Sequence, residues 1–127
     1  MWLFTHKGFL SIVRHTDKPN ILIVRSRFRG HIDKIFPKAC VEEDATRDYR
    51  YRVELPIKEV SKVIARLVSE IDYDNFKNSL DFYDERYLNC CLDVYHSVEN
   101  YSEHITYSNT DRDFSQFQYL REEINEG

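Results

Sequence analysis

The chain has 127 residues, 42% hydrophobic, 14% aromatic and 31% charged, which suits one domain with a real core and excludes two full ones. Eight Phe, nine Tyr and one Trp against three Gly and three Pro exclude a disordered, collagenous or low-complexity chain. The net charge of −4 is unevenly laid out: residues 1–38 hold eight Lys/Arg against two Asp (+6), residues 39–77 seven against nine Asp/Glu (−2), and residues 78–127 three against eleven (−8). A basic start and an acidic end attract one another or present two faces to different partners.

Trp2 to Thr5 and Phe9 to Arg14 read as two strands joined by His6-Lys7-Gly8, with Gly8 supplying the conformational freedom of a tight turn. The polar stretch His15 to Asn20 leads to Ile21-Leu22-Ile23-Val24, the strongest β signal in the chain. Gly30 follows, and Ile32, Ile35 and Phe36 predict a short helix that Pro37 ends. Residues 38–47 read as a solvated loop, and residues 48–55 alternate as a half-buried strand that Pro56 stops. Val60, Val63, Ile64, Leu67, Val68 and Ile71 keep helical spacing. Residues 72–77 break that pattern before a last helix over residues 83–101. The order β-β-β-α-β-α-α predicts an α+β domain over residues 1–105, a four-stranded antiparallel or mixed sheet with helices on one face in a ferredoxin-like arrangement. Residues 106–127, with Phe114, Phe117, Leu120 and Ile124 at helical spacing, form an acidic, aromatic appendage.

No apolar run approaches the roughly 20 residues that cross a bilayer, and the opening residues lack the pattern of a signal peptide. An odd cysteine count, Cys40, Cys90 and Cys91, makes a poor disulfide framework. Both point to a cytoplasmic protein with reduced thiols and no membrane.

The segments Met1-Trp2-Leu3-Phe4-Thr5, Gly8-Phe9, Ser11-Ile12-Val13, Tyr51-Arg52 and Ile71-Asp72-Tyr73-Asp74-Asn75-Phe76-Lys77 together resemble a widespread family of small bacterial and mobile-element proteins. That family opens with Trp-x-Phe-Thr-x-x-Gly-Phe and carries Tyr-x-Asn-Phe-Lys after a helix. The resemblance covers about residues 1–100, and the end after residue 105 departs from it. It implies one compact cytoplasmic domain and no particular reaction.

Candidate chemistry concentrates on the sheet. Strand alternation places Arg25, Arg27 and Arg29 on one face with Arg50 and Arg52, so five arginines line a surface suited to carboxylate or phosphate if the apolar faces pack on helices. The competing role is an ordinary solvated face. Tyr49 and Tyr51 alternate away from Arg50 and Arg52, which separates rings from charges and, with the acidic balance, makes nucleic acid a second-rank direct ligand. Lys58, Lys62 and Arg66 form a cationic helix stripe, either solvated or facing an acidic partner. Asp72, Tyr73, Asp74, Asn75 and Lys77 make either a ligand-contacting corner or a helix stop with Tyr73 and Phe76 plugging the core. The five histidines and the cysteines lack metal-site spacing, and no Gly-rich phosphate loop exists, so neither metal nor cofactor is expected.

The last helix carries Tyr87, Leu88, Cys91, Leu92, Val94, Tyr95, Val98 and Tyr101 over about half its circumference, wider than the roughly 100° stripe of a one-sided helix. Tyr87, Tyr95 and Tyr101, with Phe114 and Phe117 from the appendage, are therefore candidate contacts within the chain, with a second copy, or with a protein partner. The leading expectation is a small non-enzymatic protein-interaction or regulatory module. One version is a mobile-element inhibitor whose acidic end imitates nucleic acid against a host protein. The alternative is a sensor of a small anion or nucleotide on the arginine face, and a third is a small enzyme using His6 or His31 as acid/base.

Overall fold

The structure, a computed structural model, describes residues 1–107. Five strands form one sheet: β1 (Trp2–Thr5), β2 (Gly8–Arg14), β3 (Ile21–Ser26), β4 (Glu42–Glu43) and β5 (Tyr51–Pro56), in spatial order β1-β2-β3-β5-β4. The helices are α1 (His31–Ile35), α2 (Ile57–Ser69) and α3 (Glu85–Tyr107), with a 3₁₀ turn over Phe76–Ser79. The α+β class predicted from the sequence is present, with one strand more, because Glu42–Glu43 pairs with Tyr51 and Arg52 where a loop was expected. Every neighbouring pair is antiparallel. A ferredoxin-like arrangement needs parallel neighbours joined by βαβ crossovers, so the sheet departs from that expectation.

Register decides which residues share a face. The tight turn pairs Thr5 with Gly8 and hence Leu3 with Leu10 and Trp2 with Ser11. On one face Leu10, Ile12, Val24, Val53 and Leu55 meet Ile32, Ile35 and Phe36 from the α1 segment and Val60 from α2. Val63, Ile64 and Leu67 border this core, whereas α2 ends at Ser69 and leaves Val68 and Ile71 exposed. Pro56 closes β5 and opens α2 in one step, and the Ile57 N–H donates to the carbonyl of Asn20 in the preceding turn.

Phe4 and Phe9 point to the opposite face and stack with centroids 4.5 Å apart. They join Tyr49, Phe76, Leu80, Tyr87, Leu88 and Cys91 in a second cluster. The helices therefore do not all lie on one face, since the opening turns of α3 pack against the rings that α1 and α2 leave uncovered. The chain divides into two compact units, residues 1–91 and 92–127, with the division inside α3. Among the described residues no helix is long and apolar enough to cross a membrane.

The two clusters meet at the β1–β2 turn. The Thr5 hydroxyl accepts from the N–H groups of Lys7 and Gly8 and donates to the Gly8 carbonyl. Gly8 sits at φ +151°, and a Cβ there would lie 2.5 Å from Cγ of His31. Gly30, at φ +86°, opens α1 with nothing near its missing Cβ. Gly8→Ala is expected to cost about 2 to 3 kcal/mol, because it overpacks a filled site, and Gly30→Asn under 1 kcal/mol, since asparagine tolerates the left-handed region. Urea denaturation of both variants checks this ordering.

Candidate functional site

The arginines predicted to line one face divide into two groups. Strand β3 ends at Ser26 and β5 begins at Tyr51, so only Arg25 and Arg52 lie within the ladder, where they are direct cross-strand partners. The other three each have a carboxylate: Arg27 lies 3.9 Å from Asp48, Arg29 3.4 Å from Glu43, and Arg50 3.9 Å from the same Glu43. Arg47, beside them, binds Asp44 at 3.3 Å. Among the described residues no ion pair within 4.0 Å reaches Arg25 or Arg52.

Arg25 is held in place rather than neutralised. Its Nη2 donates to the Ser11 hydroxyl at 2.7 Å, and its guanidinium lies 4.5 Å from the centroid of the Tyr49 ring. Arg27 lies 4.6 Å from the same centroid. Such contacts contribute about 0.5 to 2 kcal/mol each, more where water is excluded. The Nε of Arg25 is buried without a hydrogen-bond partner among the described residues. Arg52 is half-buried, and burial, followed by the nearby charges of Arg47 and Arg25, lowers its pKa from the ordinary guanidinium value, with the carboxylates of Asp48 and Asp44 opposing. It stays a cation at neutral pH.

Register puts Trp2, Ser11, Arg25, Arg52 and Glu42 in one row across the five strands and on one face. Trp2 is 71% exposed, and Ser11 is buried between it and Arg25. Sequence reasoning did not single out Trp2 or Ser11. The signal was the two-residue turn after Thr5, which sets their pairing. It also placed Tyr49 away from the arginines. Tyr49 precedes β5, its N–H bonded to Oδ1 of Asp48, so strand alternation does not govern its ring, which turns onto the arginine face and is buried there.

The remaining candidates lie elsewhere. In residues 72–77, Asn75 caps the 3₁₀ turn by accepting the Lys77 N–H, and Phe76 borders the second cluster. Tyr73 meets the rings of His6 and Phe76 edge-on, and Asp72 and Asp74 are exposed. Tyr87 donates its hydroxyl to the Thr5 carbonyl, and burial raises the pKa of the phenol and of the neighbouring Cys91 thiol. Tyr95 and Tyr101 are exposed on α3, while Phe114 and Phe117 lie outside the described residues. Lys58, Lys62 and Arg66 are exposed along α2. All three cysteines are free, and no group of His, Cys, Asp or Glu among the described residues is placed to hold a metal.

His31 is buried, with its Nδ1 accepting the Phe9 N–H at 3.0 Å and its ring edge-on to Tyr87 at 4.9 Å. A nitrogen that accepts is unprotonated, so the imidazole is neutral. Burial and then Lys34 lower its pKa from the ordinary value, with Asp84 opposing. The unfolded chain thus takes up a proton at higher pH than the fold does. The stabilisation is complete above about pH 6.5 and is lost as pH falls through the folded value. The urea midpoint is expected to drop from about pH 7.5 to about pH 5, and His31→Gln to flatten that drop.

Comparison with family models, curated proteins and solved structures finds no match for this chain.

Proposed function

We propose that the protein is a small cytoplasmic binding module whose sheet face takes an anion carrying phosphate or carboxylate. The observation that carries this reading is the adjacent Arg25–Arg52 pair, without an ion-pair partner among the described residues although every arginine around it has one. Like charges placed directly opposite on a sheet cost stability, and an anion between them removes that repulsion while accepting from two planar donors. Arg25 is already oriented by Ser11 and Tyr49, so little side-chain freedom is left to lose on binding.

The protein-contact reading is favoured separately by Val98 and Tyr101, 61% and 64% exposed and three residues apart on α3. Under it, native mass spectrometry of protein purified from its host retains a protein companion, which Val98→Glu releases. The inhibitor version rests largely on the acidic end of the chain, and residues 108–127 lie outside the described ones.

Inorganic phosphate titrated against the protein and followed by amide NMR is expected to shift resonances of β3 and β5. Arg52→Gln should weaken that binding by about tenfold or more, the loss of a charged hydrogen bond. The same variant is expected to match or exceed the parent's stability by about 0.2 to 1 kcal/mol, because it relieves the like-charge pair. Arg29→Gln, outside the pair, should leave phosphate affinity unchanged; equal losses in both variants would count against the site.

A further inference from the structure

We infer that two copies of this chain pair through β1, its outer edge meeting the same edge of a partner subunit in antiparallel register about Leu3. Main-chain alternation makes the edge available. Met1 and Ile12 exchange both of their main-chain hydrogen bonds, so Leu3 also bonds towards β2, whereas Trp2 and Phe4 direct N–H and C=O away from it. Among the described residues β1 is the last strand on its side of the sheet, and these outward groups have no hydrogen-bond partner. Neither residue is charged or a proline, the features that keep another strand from an open edge.

The strand is its own complement. With a two-fold axis at Leu3, Trp2 stands opposite the partner's Phe4 and Phe4 opposite the partner's Trp2, and each pair exchanges both main-chain bonds. This register satisfies every outward group of Trp2 and Phe4 at once; an axis at either of those residues leaves the other with no β1 residue opposite. The side chains fit the same register. Trp2 and Phe4 project from one face, where Phe4 stacks on Phe9 and the indole meets Phe9 edge-on. Among the large apolar side chains of the five strands Trp2 is the most exposed. Pairing lays each indole beside the partner's Phe4, and such aromatic cross-strand contacts stabilise a sheet. On the opposite face Leu3, which borders the core, meets the partner's Leu3. Strand β1 is already ordered by β2, so pairing two copies fixes little further backbone, whereas an unstructured segment would have to be ordered on binding. That difference favours a second copy as the occupant.

Sedimentation of the full chain in phosphate-free buffer is expected to shift from the 15.3 kDa monomer towards twice that mass, half complete at a concentration on the order of 100 μM, as suits a contact of strand size. Amide exchange followed by NMR identifies the edge: Trp2 and Phe4 N–H groups should gain protection as concentration rises, while Leu3 is protected throughout. Trp2→Lys is expected to weaken dimerisation by about tenfold or more, since it removes both aromatic pairs and places a charge at both ends of the contact. Trp2→Phe, which keeps a ring, should weaken it less. Trp2→Pro lacks only an outward N–H and so is compatible with an edge strand; it should leave the circular dichroism of the fold intact and abolish the dimer. A chain that stays monomeric to about 1 mM overturns the inference. So does a dimer that survives Trp2→Lys and is lost in Val98→Glu, which would move the contact to α3. Protection of the Trp2 and Phe4 amides independent of concentration also overturns it, because the edge would then be covered within one chain.

Discussion

The hydrogen bond from the Phe9 N–H to Nδ1 of His31 is the constraint on which the rest of the structure turns. Strand β3 stops pairing with β2 at Ser11, and Phe9 is left with a main-chain donor and acceptor pointing where a strand would have been. The donor goes to His31 and the carbonyl accepts from the Ser26 hydroxyl. Leaving either buried group unmet costs about 1 to 3 kcal/mol. The two side chains replace a missing piece of ladder and, in doing so, tie the start of α1 to the hairpin. Gly8 supplies the space for the ring, and Tyr87 covers its edge while binding the Thr5 carbonyl. One neutral imidazole thus joins the helix that covers one face of the sheet to the helix that begins over the other.

The early exit of β3 also sorts the arginines. Beyond Ser26 the chain is free to turn, and Arg27 and Arg29 reach Asp48 and Glu43. Within the ladder, Arg25 and Arg52 are held by register and have no such freedom. Glu42 stands next to Arg52 in the row without closing an ion pair within 4.0 Å. Two of the arginines are therefore held at positions fixed by backbone pairing, and it is on this fixed pair that the proposed anion-binding reading rests.

Much of the fold was legible because it follows local rules. The β-branched run at 21–24, the helical spacing from Val60 to Leu67 and the turn at Gly8 all lead to the elements observed. What was not legible depends on contacts distant in sequence. Glu42–Glu43 has no strand signal of its own and becomes β4 only because β5 offers an open edge. Helix α3 continues to Tyr107 through polar residues whose helicity comes from propagation rather than from an apolar stripe. At the site, the shared face of Arg25 and Arg52 was readable from alternation, whereas the positions of Arg27, Arg29, Arg50 and Tyr49 were not, since their backbone lies outside the strands. Trp2 was visible as a strand residue, but its neighbours on the face required adding the registers of four successive strand pairs.

The two margins of the sheet differ in a way that bears on self-association. The β4 margin is two residues long and carries two glutamates, which repel an approaching strand of like composition. On β1, the hydrogen bonds between Met1 and Ile12 fix the alternation, so Trp2 and Phe4 turn their main-chain N–H and C=O groups away from β2. Their side chains are aromatic and carry no charge. Addition of a foreign strand is therefore opposed by charge at the β4 margin, whereas Trp2 and Phe4 place no such charge at the β1 margin.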